Sequence, residues 1–70
     1  MMFHVVLESE LDGTMTVECP ALPGCVSEGK DEQEALANIK EAIQAWLWAE
    51  DMKRLDEKEY AGKPSVMVSV

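Results

Sequence analysis

The run Cys19-Pro20-Ala21-Leu22-Pro23-Gly24-Cys25, leading into Asp31-Glu32-Gln33-Glu34-Ala35-Leu36-Ala37-Asn38-Ile39-Lys40-Glu41-Ala42-Ile43, constrains this chain more than any other feature. Pro20 and Pro23 fix φ and remove two backbone donors, and Gly24 admits positive φ, so an extended strand must stop here and turn sharply. Asp31 then offers an N-cap carboxylate, with Glu34 placed three residues on to complete a capping box. Glu32 and Glu34 suit the positive end of the helix that follows. A strand end, a corner and a helix start are thus predicted within fifteen residues.

The strands on either side follow from alternation. Phe3 to Glu10 sets Phe3, Val5 and Leu7 against His4, Val6 and Glu8, and Thr14 to Cys19 sets Met15, Val17 and Cys19 against Thr14, Thr16 and Glu18. A slip of one residue would send an apolar row into water, so register decides the connection. A two-residue Asp12-Gly13 turn would pair Leu7 with Glu18. A three-residue loop, Leu11-Asp12-Gly13, with Gly13 in the left-handed position, pairs Leu7 with Val17 and Val5 with Cys19, and is preferred. Cys25 to Gly29 is expected as a short third strand returning along the second.

Beyond Asp31, the residues Ala35, Leu36, Ile39, Ala42, Ile43, Trp46 and Leu47 recur at steps of three and four and form one apolar stripe, with Trp46 expected in the core. Continuing that stripe reaches Glu50, Lys53, Arg54 and Glu57, which do not belong in a core. Trp48, Met52 and Leu55 instead share the opposite side, so the helix is expected to overhang its own core and to present these three as a partner or oligomer interface. The alternative is a kink near Ala49 that turns the patch inward, with Tyr60 capping it. Gly62-Lys63-Pro64 ends the helical pattern, and Ser65 to Val70 resumes strict alternation. The expected architecture is α+β: two layers in the order β-β-β-α-β, with an antiparallel hairpin sheet, a fourth strand parallel to the first, and one long helix on one face.

Seventy residues make one domain, 1–70, because a chain of this size buries only about 60% of its unfolded surface and has no room for a second core. The hydrophobic fraction of 47% favours a folded chain over a disordered one, and so small a core points to a dimer or tetramer. A net charge of -8, with six scattered Lys and Arg, opposes direct nucleic-acid binding and favours a basic protein partner. No apolar run reaches a membrane span and the N-terminus lacks the features of a secretion signal, so the expected location is the cytoplasm. Cys19 and Cys25 have neither redox nor zinc spacing and are expected to be reduced, small apolar residues.

The run Glu18 to Gly29, with its Pro20, Leu22, Pro23, Gly24 turn and trailing Gly29, together with the helix reading Glu34-Ala35-Leu36-Ala37-Asn38-Ile39-Lys40-Glu41-Ala42-Ile43, resembles the N-terminal domain of the HicB-like antitoxins. With the preceding hairpin the resemblance covers the chain to about Leu47. It implies a partial ribonuclease H-like fold of the same topology. It also implies a partner: HicA, a small basic toxin that cleaves messenger RNA with a catalytic histidine and would be inhibited by occlusion. Full-length members usually append a DNA-binding domain, whereas this sequence stops at its expected fourth strand, so no specific DNA binding is expected. An orphan homo-oligomeric adaptor without a toxin is the alternative.

Catalysis is not expected. Glu8 and Glu18 share the solvent face of the hairpin, but a metal-dependent hydrolase needs more oxygen ligands than two surface glutamates supply. His4 stands alone without a nucleophile or carboxylate at a defined spacing. No cofactor or metal is implied.

Overall fold

In a computed structural model, which describes residues 1–69, three strands precede one long helix: β1 (Val6–Ser9), β2 (Met15–Glu18), β3 (Val26–Gly29) and α1 (Glu32–Leu55). The strands form one antiparallel sheet in the order β1-β2-β3. Leu7 pairs with Val17 and Ser9 with Met15, the register that the three-residue loop demands. Gly13 takes φ 92° at the end of that loop. Asp12 Oδ1 closes it by accepting from the Thr14 hydroxyl at 2.6 Å and the Thr14 amide at 3.0 Å, and these two bonds hold its carboxyl below the usual aspartate value.

The Pro-Gly corner is two successive tight turns. The Leu22 amide donates to the Cys19 carbonyl at 3.0 Å, and the Cys25 amide to the Leu22 carbonyl at 2.9 Å. Gly24, at φ 81°, supplies the left-handed step. This winding drives Leu22 into the protein, where it joins Val17, Cys19, Cys25, Ala35 and Ile39 in the buried core. Both cysteines are free thiols, and burial first, then the neighbouring Cys19, raise the pKa of Cys25. Trp46, half-buried, donates its indole N–H to the Pro23 carbonyl at 2.9 Å and so ties the corner to the fourth turn of α1.

The helix starts where its caps place it. Asp31 is the N-cap, accepting from the Glu34 amide at 2.8 Å, while Glu34 Oε1 accepts from the Lys30 amide at 3.0 Å. Glu34 thus reaches one residue further back than in the usual capping box. Gly29 lets α1 lie close to β3: a Cβ there would collide with the Ala35 amide nitrogen and come within 2.9 Å of the Glu34 carbonyl carbon.

Two expectations are corrected. The apolar stripe is narrower than its periodicity suggests, because Leu36 and Leu47 remain 38% and 40% exposed at its flanks and only Ala35 and Ile39 of α1 are fully buried. The fourth strand, parallel to the first, is not formed among the described residues; Val70, its last expected residue, lies outside them. Hydrogen-bonded turns follow the helix, with the Tyr60 amide donating to the Glu57 carbonyl and the Lys63 amide to the Tyr60 carbonyl, and they coil the chain beside the helix end instead of extending it along β1. Residues 65–68 instead run beside Asp51 and Leu55. The radius of gyration is 15.6 Å, well above the roughly 11 Å of a compact chain this long.

Candidate functional site

Period-two alternation gives the sheet two unlike faces. Leu7, Met15 and Val17 face α1 and pack into or against the core. On the opposite, uncovered face the register aligns Val6, Glu18 and Val26 in one row and Glu8, Thr16 and Glu28 in the next. These six residues line a shallow trough of about 320 Å³. Val6 and Val26 are 52% and 61% exposed. The Thr16 hydroxyl lies 3.0 Å from Glu10 Oε1, which brings a fourth carboxylate to the rim.

The strands of this face contain no Lys or Arg: all six cationic residues lie from Lys30 onward, whereas residues 1–29 hold Glu8, Glu10, Asp12, Glu18 and Glu28. The cations therefore segregate to one part of the chain instead of scattering through it. An acidic face with apolar spots at two corners is complementary to a cationic protein surface. Glu8 and Glu18 share the face; the role of Glu28 and the segregation of charge were not anticipated, although carrying the strand register on from β2 to β3 would have put Glu28 there.

A second surface lies on the overhang of α1. The helix runs unbroken to Leu55, so no kink at Ala49 turns the patch inward, and Trp48, Met52 and Leu55 are 68%, 42% and 40% exposed. Tyr60 borders a shallow hollow with Asp51, Arg54 and Leu55. Arg54 is occupied by Glu50 at 3.1 Å and Glu57 at 3.2 Å. The Pro20-Gly24 corner offers no apolar tip, since Leu22 points inward, and Pro20, Pro23 and Gly24 remain at the surface. Asn38 of the helix motif serves the fold locally, its Nδ2 donating to the Glu28 carbonyl at 2.7 Å.

Among the described residues no group of three or more His, Cys, Asp or Glu is arranged to hold a metal ion. His4 is exposed at the start of the chain. No helix among them is long and apolar enough to cross a membrane.

Such a hairpin-led sheet with a capped helix across it defines a small α+β domain. Residues 3–70 match the HicB_like antitoxin of bacterial toxin-antitoxin systems. The chain is 47% identical over 58 residues to a UPF0150 protein of Thermoplasma acidophilum, covering 83% of this chain and 81% of that one. It is 37% identical over 68 residues to a UPF0150 protein of Archaeoglobus fulgidus, covering 97% and 96%, and 47% identical over 47 residues to one from Helicobacter pylori, covering 67% and 64%. No solved structure matches it. The chain belongs to the HicB-like antitoxin family, and with it to the antitoxin, regulatory side of a toxin-antitoxin system.

Proposed function

We propose that this protein neutralises a small basic, HicA-like, messenger-RNA-cleaving toxin in the cytoplasm by covering it, and that the uncovered sheet face makes the contact. The observation that carries this reading is the concentration of Glu8, Glu18 and Glu28 on a face whose strands contain no Lys or Arg, in a chain of the antitoxin family. Opposite charge accelerates encounter, and the exposed Val6 and Val26 give the docked surface an apolar footing. The protein acts by occupancy, without turnover, cofactor or direct contact with nucleic acid.

The test is co-expression with a basic toxin encoded beside it, scored by growth rescue and co-purification. The triple variant Glu8→Lys, Glu18→Lys, Glu28→Lys should fold normally by circular dichroism and lose both readouts. Association of the unaltered pair should slow steeply with added salt. Rescue by the triple variant at the unaltered level would show that the contact lies elsewhere.

A second reading is favoured by one observation, the exposed Trp48, Met52 and Leu55 beyond the sheet. In it the chain is a homo-oligomeric adaptor without a toxin, and this patch is the contact surface. Loss of oligomers in Met52→Glu, with no toxin bound by the unaltered protein, would favour it.

A further inference from the structure

The two edges of the sheet are finished differently. At β3 the outward Glu28 carbonyl is taken by Asn38 of α1. At β1 nothing comparable occurs among the described residues. The Glu10 amide donates to the Thr14 carbonyl, and antiparallel alternation from that bond turns Val6 and Glu8 towards β2 and leaves the N–H and C=O of Leu7 and Ser9 at the outer edge. Among the described residues these groups have no backbone partner. Natural proteins protect such an edge with Lys, Pro, a bulge or a covering element, and β1, Val-Leu-Glu-Ser, has only Glu8.

The same chain carries a segment with strand-forming sequence outside the sheet. Pro64 holds residue 63 away from helical geometry, and in Ser65-Val66-Met67-Val68-Ser69 the β-branched Val66 and Val68 share one side of an extended chain, with Ser65, Met67 and Ser69 on the other. No backbone hydrogen bond ties this segment down among the described residues. Val66, Met67 and Val68 are 88%, 94% and 81% exposed, which a lone monomer has no reason to maintain. The segment also starts in the wrong place for its own β1. The last anchor of α1 to the sheet side is Trp46, and the helix continues to Leu55, about 13 Å further at 1.5 Å per residue, before the turns begin.

We propose that residues 65–69 of one copy add to the open edge of β1 in a second copy, and reciprocally, so that two chains complete each other's sheets as a symmetric dimer. The lengths agree, a five-residue segment against a four-residue strand. The segment is uncharged, so it reaches an acidic sheet without like-charge repulsion even though each chain carries -8. The exchange is isologous, each copy giving one strand and receiving one, and it closes at two chains instead of propagating. It also gives Val66 and Val68 a face to cover, the flank of Phe3, Val5 and Leu7, which are only partly buried in one chain.

The test is the mass of the full chain in solution, beside the double variant Val66→Pro, Met67→Pro. Adjacent prolines remove one amide of each parity, so whichever row faces β1 loses a donor. The unaltered protein should sediment at twice the 7.8 kDa of one chain and the double variant at 7.8 kDa, with unchanged helical circular dichroism because the segment lies outside the core. In an equal mixture of isotope-labelled and unlabelled chains, filtered nuclear Overhauser effects should connect Leu7 and Ser9 of one copy with residues 65–69 of the other. A full chain that stays monomeric at its highest soluble concentration, a double variant that stays dimeric, or contacts confined to single chains would overturn the proposal. Toxin neutralisation by the monomeric variant is a separate readout, so loss of the dimer leaves the antitoxin reading standing and loss of neutralisation in the charge-reversal variant leaves the dimer standing.

Discussion

The first four turns of α1 and its last nine residues are one continuous helix, yet different forces hold them. From Ala35 to Trp46 the helix is docked: Ala35 and Ile39 are buried, Ala42, Ile43 and Trp46 pack against the core, and Asp31, Gly29 and Asn38 fix its start against β3. From Leu47 to Leu55 every large apolar side chain is 40% or more exposed, and support is local: the Glu50-Arg54-Glu57 pairs and the basic Lys53 and Arg54 at the negative end of the helix. Exposed pairs of this kind contribute at most about 1 kcal/mol each. What the difference teaches is that Trp48, Met52 and Leu55 are not maintained by the fold of a single chain. Contact with another molecule is the role that the second reading above proposes for them.

The comparison is tested hardest where the docked half is deepest. Ile39→Ala removes a side chain 2% exposed at the centre of the core, and the expected loss is about 3 kcal/mol in urea unfolding, a large share of what so small a domain has. A loss under about 0.5 kcal/mol, the range of ordinary surface substitutions, would show that the docked half is no more essential than the overhang. Gly29→Ala comes next, at about 2 kcal/mol, because the new methyl meets backbone atoms of Glu34 and Ala35 that can yield only by lifting the helix from β3. The same change at Gly13 meets no atom within 4 Å and acts through the left-handed backbone alone.

The sequence made the docked half legible because its signals are local. Asp31 and Glu34 mark the start of α1 through bonds within four residues, and the alternation of Leu7 and Val17 admits only one loop length between β1 and β2. Where partners are distant, the same patterns mislead. Leu36 and Leu47 keep helical step with the stripe, but a sheet of three strands is too narrow to cover its flanks. Leu22, within the turn motif, is buried because two linked turns rotate it inward, which no periodicity encodes. The alternation at Ser65 to Ser69 expresses a preference for extended backbone and says nothing of which edge, in which copy, would receive it. The acidic face was half visible: Glu8 and Glu18 stand on one hairpin, but Glu28 joins them only once β3 is placed in register.

A smaller effect belongs to the helix start. Asp31→Ala leaves the Glu34 amide without its cap, and about 1 kcal/mol should be lost, recovered in large part by Asp31→Asn, which caps without a charge. Equal losses in both variants would assign the effect to charge at the helix terminus instead of the hydrogen bond.

The finest test sets two tryptophans two residues apart against each other. Trp46 is half-buried and donates to the Pro23 carbonyl, whereas Trp48 is 68% exposed and open to solvent. Trp46→Phe therefore gives up a bond that links the corner to the helix, worth about 1 kcal/mol, while Trp48→Phe should stay within about 0.5 kcal/mol of the unaltered protein. Fluorescence separates them further. The emission left in Trp48→Phe comes from Trp46 and should resist acrylamide, and that left in Trp46→Phe comes from Trp48 and should be readily quenched at low protein concentration. If quenching of Trp48 falls as the protein is concentrated while that of Trp46 does not change, the overhang is being covered by a second copy; if a bound toxin alone protects it, the patch belongs to the toxin interface; and protection in the dilute free chain would mean that the two halves of the helix are docked alike.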